Sequence, residues 1–426
     1  MNGKKIHPWA WIPSLYFAQG LPYEVVMRVA VVMYKRLGIA NADIALYTSL
    51  LGIPWIIKPF WSPIVDILKT KRWWMVAMQL IIGAGMAGVA LSIPAPFFFR
   101  ATMAFFVLLA FSSATHDISI DGFYMLALTP FQQSYFIGIR STFYRTAMIT
   151  GQGILVMFAG WMEKVTESVP AAWCITFVLV AVLFVLLSVY HYFMLPRVET
   201  VKNKDAQTFK AVLHEFAGTF VSFFRKKGIA PAIAFFLLYR LSEAQLVKIA
   251  SLFMLDKPHL GGLGLETGMV GFTYGTVGVI ALVLGGITGG IAISLKGLKF
   301  WLAPMMIAMN LPNLVYVYLS FTQTQALWLI NAAVAVEQFG YGFGFSAYLL
   351  FMIYMSDGPY KTAHYAICTA LMALGLMLPG MVAGWLQEWL GYKLFFIWVM
   401  LCTVPPFFVL PFLHIHRHFG MKNSPK

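Results

Sequence analysis

Twelve long apolar segments are the feature that most restricts what this chain of 426 residues can fold into. A helix needs roughly 20 mostly apolar residues to cross the hydrocarbon core of a bilayer. The segments that reach this length are 9–34, 42–68, 73–94, 98–125, 134–160, 172–195, 229–254, 267–294, 300–320, 326–354, 362–386 and 393–413. They are continuously apolar instead of alternating with polar residues, as expected for spanning helices and not for barrel strands. The sequence therefore predicts an all-α integral membrane protein with twelve transmembrane helices.

The composition agrees with a lipid environment. Apolar residues make up 60% of the chain and charged residues only 11%, so a soluble fold of this chain would lack a polar surface. Cys174, Cys368 and Cys402 lie in or beside apolar segments without a CxxC spacing or a histidine partner. We therefore expect no metal site, no disulfide framework and no cofactor.

The lysines and arginines predict the orientation of the chain. Of 30 such residues, eighteen fall on the side of both predicted termini, six fall on the other side, and six lie within the segments. Because cytoplasmic loops are enriched in lysine and arginine, both termini are predicted to be cytoplasmic. The net charge of +14 is spread over loops that face anionic lipid, so we expect no nucleic-acid partner.

A single long polar stretch divides the chain into two halves. We predict an N-terminal six-helix bundle over 1–195, a cytoplasmic linker over 196–228 and a C-terminal six-helix bundle over 229–426. Within the linker, apolar residues recur at helical spacing and predict an amphipathic helix on the membrane surface: Phe209, Val212, Leu213, Phe216, Phe220 and Phe223.

The two halves also resemble each other in sequence. FAQGLPYEVV (17–26) aligns with LYRLSEAQLV (238–247) and places Glu24 opposite Glu243. Two further similarities follow in the same order along both halves. Parallel six-helix repeats joined by a basic loop are the plan of major facilitator transporters, whose cargo site lies near the membrane midplane. The predicted fold class is therefore the major facilitator fold, two six-helix bundles.

Four motifs resemble the AmpG-type muropeptide permeases within that superfamily. They are IKPFWSPIVD (57–66), SATHDISIDGF (113–123), FYRTAMITGQG (143–153) and LLYRLSEA (237–244). This chain departs from the family pattern at three positions, with His116 for glutamine, Arg240 for lysine and Glu243 for aspartate. The resemblance implies proton-driven uptake of a cell-wall amino sugar that carries a lactyl carboxylate, with or without peptide.

Charged residues near the centres of the apolar segments indicate polar cargo. An ionised group in hydrocarbon is costly, so such groups normally face a partner or a water-filled path. The residues in question are Glu24, Arg28, Lys58, Asp117, Arg145, Arg240, Glu243, Lys248 and Glu337. This pattern is typical of a carrier for charged or polar solutes.

Asp117 and Asp121 are the first candidates for proton coupling. Their spacing of four residues puts both carboxylates on one helical face, where they cannot both ionise cheaply. Alternatively, Asp121 anchors a cytoplasmic gate with Arg140 or with the basic residues of 69–72. Glu24 and His116 are further proton candidates, although a buried histidine can also serve packing alone.

The candidate cargo-binding residues lie in both halves. Arg240 and Glu243 share a helical face, Lys248 lies about a turn and a half further, and an arginine fork suits a carboxylate. An Arg240–Glu243 pair could instead lock the fold. The remaining candidates are aromatic, amide, acidic or basic groups suited to an anionic sugar: Glu337, Gln338, Tyr341, Lys58, Arg145 and Arg28. Lys58 and Arg145 could alternatively form ion pairs between helices.

The function predicted from the sequence is proton-coupled import of an anionic amino sugar or muropeptide across the bacterial inner membrane. Its partners are this small molecule, the proton and the lipid bilayer, and we expect a monomer. A carrier of another anion, such as free N-acetylmuramic acid or an acyl-CoA-like solute, remains an alternative. A transporter-like sensor is the alternative of a different class. No nucleophile, metal or phosphate-binding motif in context predicts an enzyme.

Overall fold

A computed structural model of the chain describes residues 6–62, 65, 68–128, 130–198, 218, 220–357, 361–417 and 419–421. These residues are mostly helical, and none of them lies in a β-strand. The predicted all-α class is confirmed.

The first half begins with α1 (Ile12–Glu24), which continues through a π-helical segment, Val25–Val29, into α2 (Ala30–Arg36). The following helices are α3 (Asn41–Leu50), α4 (Ile53–Ile57), α5 (Lys71–Ser92), α6 (Phe98–Ala127), α7 (Pro130–Met148), α8 (Val156–Thr166) and α9 (Val169–Met194). A second π-helical segment, Ile149–Leu155, joins α7 to α8, and a 3₁₀ turn, Lys58–Phe60, follows α4.

The second half contains α10 (Ile229–Leu238), α11 (Leu241–Leu255), α12 (Thr267–Val270), α13 (Val279–Lys296), α14 (Leu298–Asn310), α15 (Leu314–Thr322), α16 (Leu327–Ser356), α17 (Lys361–Leu401) and α18 (Pro405–Val409). A third π-helical segment, Gly271–Gly278, joins α12 to α13. A 3₁₀ turn, Leu311–Asn313, joins α14 to α15.

Each of the twelve predicted segments overlaps at least one of these helices. Seven helical stretches within the described residues are long and apolar enough to cross a membrane: Lys71–Ser92, Phe98–Ala127, Val169–Met194, Thr267–Lys296, Leu298–Thr322, Leu327–Ser356 and His364–Phe412. The last of these covers two predicted segments, because α17 runs on through a sharp turn at Gly391, where φ is +70°. Gly391 can adopt this conformation because it has no Cβ.

One predicted segment, 229–254, is divided in the structure. Tyr239 ends the first part, and Arg240 has the non-helical angles φ −105° and ψ 19°. The helix restarts at Leu241, with the carbonyl of Arg240 accepting a hydrogen bond from the Ala244 N–H. A new helix N-terminus therefore lies in the middle of an apolar segment, where its unshared N–H groups carry partial positive charge.

The chain forms two compact units. Unit 1 consists of Met1–Gly38 and Leu51–Val212. A core of large side chains, including Trp11, Tyr16 and Phe123, packs beneath α1 and α6. The edge-to-face contact between Trp11 and Phe123, with ring centroids 5.3 Å apart, is a geometry that adds about 0.5–1.5 kcal/mol beyond burial. This packing fixes the rotation of α1 and α6 about their axes, and so the direction of their charged side chains.

Unit 2 consists of Ile39–Leu50 and Leu213–Lys426, so α3 belongs to it although its neighbours in sequence belong to unit 1. The helix α3 packs on α11 and α17, and its Asn41 Nδ2 donates to Gln387 Oε1 at 2.6 Å. The core of unit 2 is an aromatic cluster in which Tyr239 and Tyr348 stack at 4.8 Å. This cluster supports the helix break at Arg240.

The amphipathic helix predicted for the linker lies largely outside the described residues. Of its apolar positions, Phe220 and Phe223 are described. Phe223 is fully buried in the core of unit 2, where its ring lies 5.4 Å from that of His364.

Candidate functional site

The carboxylate of Asp117 lies beside Lys58 in unit 1. Lys58 Nζ is 3.7 Å from Asp117 Oδ2, and Trp55 Nε1 donates to the same oxygen at 3.1 Å. The side chain of Gln19 also lies close to this carboxylate. The structure therefore brings together two residues that the sequence proposed for different roles. The lysine side chain is 30% exposed and the aspartate 14%, so the base reaches further out than the acid.

Asp121, one turn further along α6, has a different basic partner. Arg140 Nη2 lies 3.2 Å from Asp121 Oδ1. The guanidinium carbon of Arg140 is also 4.6 Å from the ring centroid of Tyr16 and 5.0 Å from that of Tyr124. Such cation–π contacts hold the arginine in place. This is the Arg140 pairing that the gate alternative requires, and a proton shared between Asp117 and Asp121 stays a prediction.

Glu24 forms a second buried acid–base cluster in unit 1. Its Oε2 accepts a hydrogen bond from Gln152 Nε2 at 2.6 Å and lies 3.5 Å from Arg28 Nε. The stem of the Glu24 side chain packs against Gly151, where an added Cβ would lie only 2.8 Å from Glu24 Cβ. The phenol of Tyr144, from α7, is electrostatically coupled to both Glu24 and Asp117. Gln152 and Tyr144 were not among the predicted site residues.

His116 lies in a polar network that faces the interior of unit 1. The amide of Gln79 donates from Nε2 to His116 Nε2 at 2.9 Å, and its Oε1 accepts from His191 Nδ1 at 2.9 Å. The Ser14 hydroxyl is 3.0 Å from His191 Nε2. An amide nitrogen can only donate and an amide oxygen can only accept, so His116 Nε2 carries no proton in this arrangement and His191 Nδ1 carries one. His116, His191 and Gln79 are all fully buried.

Arg145 follows Tyr144 on α7 and is partly buried. It lies 28 positions after Asp117 in sequence and in the same unit. Its place in a cargo site stays a prediction.

Arg240 lies at the helix break of unit 2 and is braced by aromatic side chains. Its Nη2 donates to Tyr341 Oη at 2.6 Å. Its guanidinium carbon lies 5.4 Å from the ring centroid of Tyr341 and 5.1 Å from that of Phe345. The predicted residues Arg240 and Tyr341 are thus in direct contact. Phe345, which was not predicted, lies four residues after Tyr341 on the same face of α16.

Glu337 and Gln338 form a buried polar cluster on the preceding turn of α16. Gln338 Nε2 is 2.9 Å from Glu337 Oε2 and 3.2 Å from the hydroxyl of Tyr274 in the π-helical segment Gly271–Gly278. The phenol of Tyr316, on α15, is electrostatically coupled to Glu337, Tyr274 and Glu243. Glu243, another of the predicted acids, is buried as well. Tyr274 and Tyr316 were not among the site residues predicted from the sequence.

Lys248 lies on α11, two turns beyond Arg240, and contacts α3. Its Nζ donates to Thr48 Oγ1 at 3.0 Å, while the Thr48 hydroxyl donates to the Ile44 carbonyl. The lysine is buried, which requires polar partners of this kind. Lys248 therefore places its positive charge at the contact between α3 and α11.

No group of three or more histidine, cysteine, aspartate or glutamate side chains within the described part of the chain is arranged to hold a metal ion. The polar groups that the structure brings together in this part of the chain are acid–base pairs, amides and phenols. Such groups can bind anions and exchange protons.

Comparison with known proteins gives a family and a set of relatives. The sequence model of the Major Facilitator Superfamily matches residues 14–364. The Anhydromuropeptide permease of Escherichia coli (strain K12) is 25% identical over 408 residues, which cover 93% of this chain and 77% of the relative. The Putative transporter AmpG 4 of Rickettsia conorii (strain ATCC VR-613 / Malish 7) is 24% identical over 416 residues, covering 94% of this chain and 95% of the relative.

Solved structures with the same fold include the nucleoside transporter NupG, with a TM-score of 0.72 at 15% identity, covering 95% of this chain and 99% of that one. A D-xylose-proton symporter superposes with a TM-score of 0.69 at 11% identity, covering 96% and 97%. At these identities the similarity concerns the fold alone.

Proposed function

The chain belongs to the Major Facilitator Superfamily as an AmpG-like member, and from that premise we propose that it imports an anionic cell-wall amino sugar or muropeptide together with protons. It is a multi-pass membrane transporter and not an enzyme. The cargo class, the proton coupling and the residues responsible are the proposal.

The observation that carries the proposal is the setting of Arg240. A buried guanidinium is held by the Tyr341 hydroxyl and by the faces of Tyr341 and Phe345. It stands at the N-terminus of α11, where the helix dipole adds positive potential. A planar guanidinium can bind a carboxylate through two parallel hydrogen bonds, and half-helix N-termini in transporters point at anionic cargo. We assign the cargo carboxylate to Arg240.

Aromatic and amide groups around Arg240 suit a sugar ring. Tyr341 lies in contact with Arg240, and Gln338 and Glu337 occupy the preceding turn of the same helix. Amide and carboxylate groups can bind sugar hydroxyls and an acetamido group. The E. coli relative is an anhydromuropeptide permease, and this name supports an amino sugar with a lactyl acid as the cargo.

The proton is assigned to Asp117 in unit 1. Its carboxylate is partnered by Lys58 and by the indole N–H of Trp55. Protonation of Asp117 makes its carboxyl group neutral, so Lys58 loses its anionic partner. The positive charge of Lys58 can then attract another anion. Binding of a proton and binding of an anion thereby favour each other, as symport requires.

The remaining parts of the proposal concern location and assembly. We propose that the protein acts as a monomer in the bacterial inner membrane with both termini in the cytoplasm. The excess of lysine and arginine in the loops on the side of the termini supports this orientation.

Equilibrium binding to the purified protein tests the cargo. The panel comprises N-acetylmuramic acid, the disaccharide of N-acetylglucosamine and anhydro-N-acetylmuramic acid, and N-acetylglucosamine, which lacks the lactyl acid. We expect the two acids to bind and the neutral sugar to bind at least about tenfold more weakly, since a lost charge-assisted hydrogen bond costs roughly 1.5–3 kcal/mol. Equal affinity for all three would contradict an anionic cargo.

A further inference from the structure

Two buried tyrosines join α10 and α16 beside the helix break of unit 2. Tyr239 Oη donates to the carbonyl of Gly344 at 2.8 Å, and Tyr348 Oη donates to the carbonyl of Phe236 at 2.7 Å. The two rings stack with centroids 4.8 Å apart and planes inclined by 18°. Each of the two tyrosines thus supplies a phenol to the backbone of the other segment, and this exchange fixes how the end of α10 lies against α16.

The hydrogen bond from Tyr348 stabilises the end of α10. The last four carbonyls of a helix have no partner within that helix, and in a membrane each one needs a donor from elsewhere. Phe236 is one of these four residues in α10. In a continuous helix its carbonyl would accept from the N–H of Arg240, four residues later. The phenol of Tyr348 therefore donates to a carbonyl whose helical donor would be the residue at the break.

The helix α17 packs against the same carbonyl. An added Cβ on Gly375 would lie 3.0 Å from the Phe236 oxygen and 3.1 Å from Leu237 Cα. The side chains of Phe236 and Tyr348 are fully buried. Removing the phenol from such a site is costly, because a buried polar group without a partner is unfavourable.

The face of α16 that carries Tyr348 also holds the side chain of Arg240. Tyr341, Phe345 and Tyr348 are spaced by four and three residues, so they share one helical face. The guanidinium carbon lies 5.4 and 5.1 Å from the ring centroids of Tyr341 and Phe345, and the Phe345 ring lies 5.9 Å from that of Tyr348. The phenol of Tyr348 is electrostatically coupled to Arg240. One helix face therefore supports both the backbone and the side chain at the break.

The start of α11 is anchored separately. Ser242 Oγ donates to Asn310 Oδ1 at 2.6 Å, and Asn310 Nδ2 donates to the carbonyl of Met306 on α14 at 2.8 Å. Ser242 and Asn310 are both buried. Arg240 thus lies between a helix end held by α16 and a helix start held by α14.

We propose that Tyr348 is a positioning residue for the cargo and that it sets the preference for acidic over neutral sugars. Its phenol keeps α10 ended at the break, and so keeps the Arg240 guanidinium on the faces of Tyr341 and Phe345. Without the phenol, the Phe236 carbonyl takes the N–H of Arg240 as its donor and the two helices join. Arg240 then adopts helical angles in place of φ −105° and ψ 19°, and its side chain turns away from these rings. The inference rests on the proposed function, in which Arg240 binds the cargo carboxylate.

Calorimetric binding to the purified full-length protein tests this role. Tyr348→Phe keeps the stacked ring and removes only the donor. N-acetylmuramic acid should bind roughly tenfold more weakly, and N-acetylglucosamine should stay within about twofold of the unaltered protein. Equal weakening of both sugars in a folded variant is the result of a merely structural role and would overturn the inference.

A double-mutant cycle tests whether Tyr348 acts through Arg240. The double variant should bind N-acetylmuramic acid as weakly as Arg240→Ala alone, because the guanidinium that Tyr348 positions is absent from both. Effects that multiply in full would show that the two residues act independently, and the inference would be wrong.

Tyr34→Phe is the matched control. Tyr34 of unit 1 is also fully buried, and its hydroxyl lies 2.8 Å from Thr102 Oγ1. This variant should unfold at a lower temperature and leave both affinities unchanged.

Two further measurements test the helix break itself. Ser242→Ala loosens the start of α11, so it should shift the two affinities in the same direction as Tyr348→Phe. Electron cryomicroscopy of Tyr348→Phe without cargo should show α10 joined to α11 and the guanidinium away from Tyr341 and Phe345. An unchanged break in that variant would overturn the inference.

These results separate the inference from the proposed function. If the helices join in Tyr348→Phe but the unaltered protein binds no acid sugar, Tyr348 positions Arg240 and the assigned cargo is wrong. If Arg240→Ala loses the acid sugar selectively while folded Tyr348→Phe and Ser242→Ala keep the unaltered affinities, the cargo assignment stands and the positioning role fails.

Discussion

Replacing Arg240 should weaken the binding of acid sugars selectively. The guanidinium is held by a 2.6 Å hydrogen bond to Tyr341 and by two aromatic faces at 5.4 and 5.1 Å. These contacts orient the group for a carboxylate, and a charge-assisted hydrogen bond is worth roughly 1.5–3 kcal/mol. Arg240→Ala should therefore weaken the binding of N-acetylmuramic acid by about ten- to a hundredfold.

Two further variants separate charge from geometry. Arg240→Lys keeps the charge but loses the planar fork, so it should recover part of the lost affinity. Tyr341→Phe keeps the ring beneath the guanidinium but removes the hydroxyl that accepts the hydrogen bond from Nη2. A typical hydrogen bond contributes roughly 0.5–1.5 kcal/mol, so this variant should lose no more than about tenfold.

Isothermal titration calorimetry on purified variants is the assay, with N-acetylglucosamine as the reference ligand and thermal unfolding as the check on folding. The rival explanation is that Arg240 and Glu243 only lock the fold. On that explanation Arg240→Ala and Glu243→Gln would weaken every ligand alike or destabilise the protein. Equal loss of N-acetylmuramic acid and N-acetylglucosamine in a folded Arg240→Ala protein would refute the assignment of the carboxylate to Arg240.

Three other outcomes follow from the structure. Asp117→Asn should lower the slope of accumulation against the pH gradient by about one proton yet preserve exchange of labelled for unlabelled cargo at equilibrium; an unchanged slope would place the proton elsewhere. Gln79→Leu should lower the free energy of unfolding by roughly 1–3 kcal/mol for each histidine nitrogen that loses its partner. Its accumulation slope should not change if the network serves packing, and a changed slope would assign the network of His116 and His191 to proton coupling. A C-terminal fusion should be active with a reporter that works only in the cytoplasm, whereas activity of a periplasmic reporter there would reverse the topology.

Much of the fold could be predicted because length and hydropathy determine a spanning helix almost alone. The twelve apolar segments correspond to the observed helices, and the charged residues at their centres indicated polar cargo. The break at Arg240 was not predicted, because the residues on both sides are as helical and apolar in pattern as an unbroken span. Likewise, a π-helical segment adds a residue to a turn without changing the hydropathy of the segment.

The partners of the charged residues could not be predicted, because they depend on how each helix is rotated against its neighbours. Asp117 and Asp121 share a helix face, yet each lies beside a base from another element, Lys58 of the 3₁₀ turn and Arg140 of α7 respectively. Glu24 is bonded to Gln152, 128 positions away in sequence. The motif FYRTAMITGQG contained both Tyr144 and Gln152, so the sequence marked this region without indicating what it contacts.

The central claim is that a proton gradient drives the accumulation of an acidic amino sugar. The most direct measurement is uptake of radiolabelled N-acetylmuramic acid into proteoliposomes that contain the purified protein and an inward proton gradient, with N-acetylglucosamine in parallel. The account predicts that only the acid accumulates above its external concentration and that a protonophore abolishes this accumulation. Equal uptake of both sugars, or accumulation of the acid that persists after the protonophore, would contradict it.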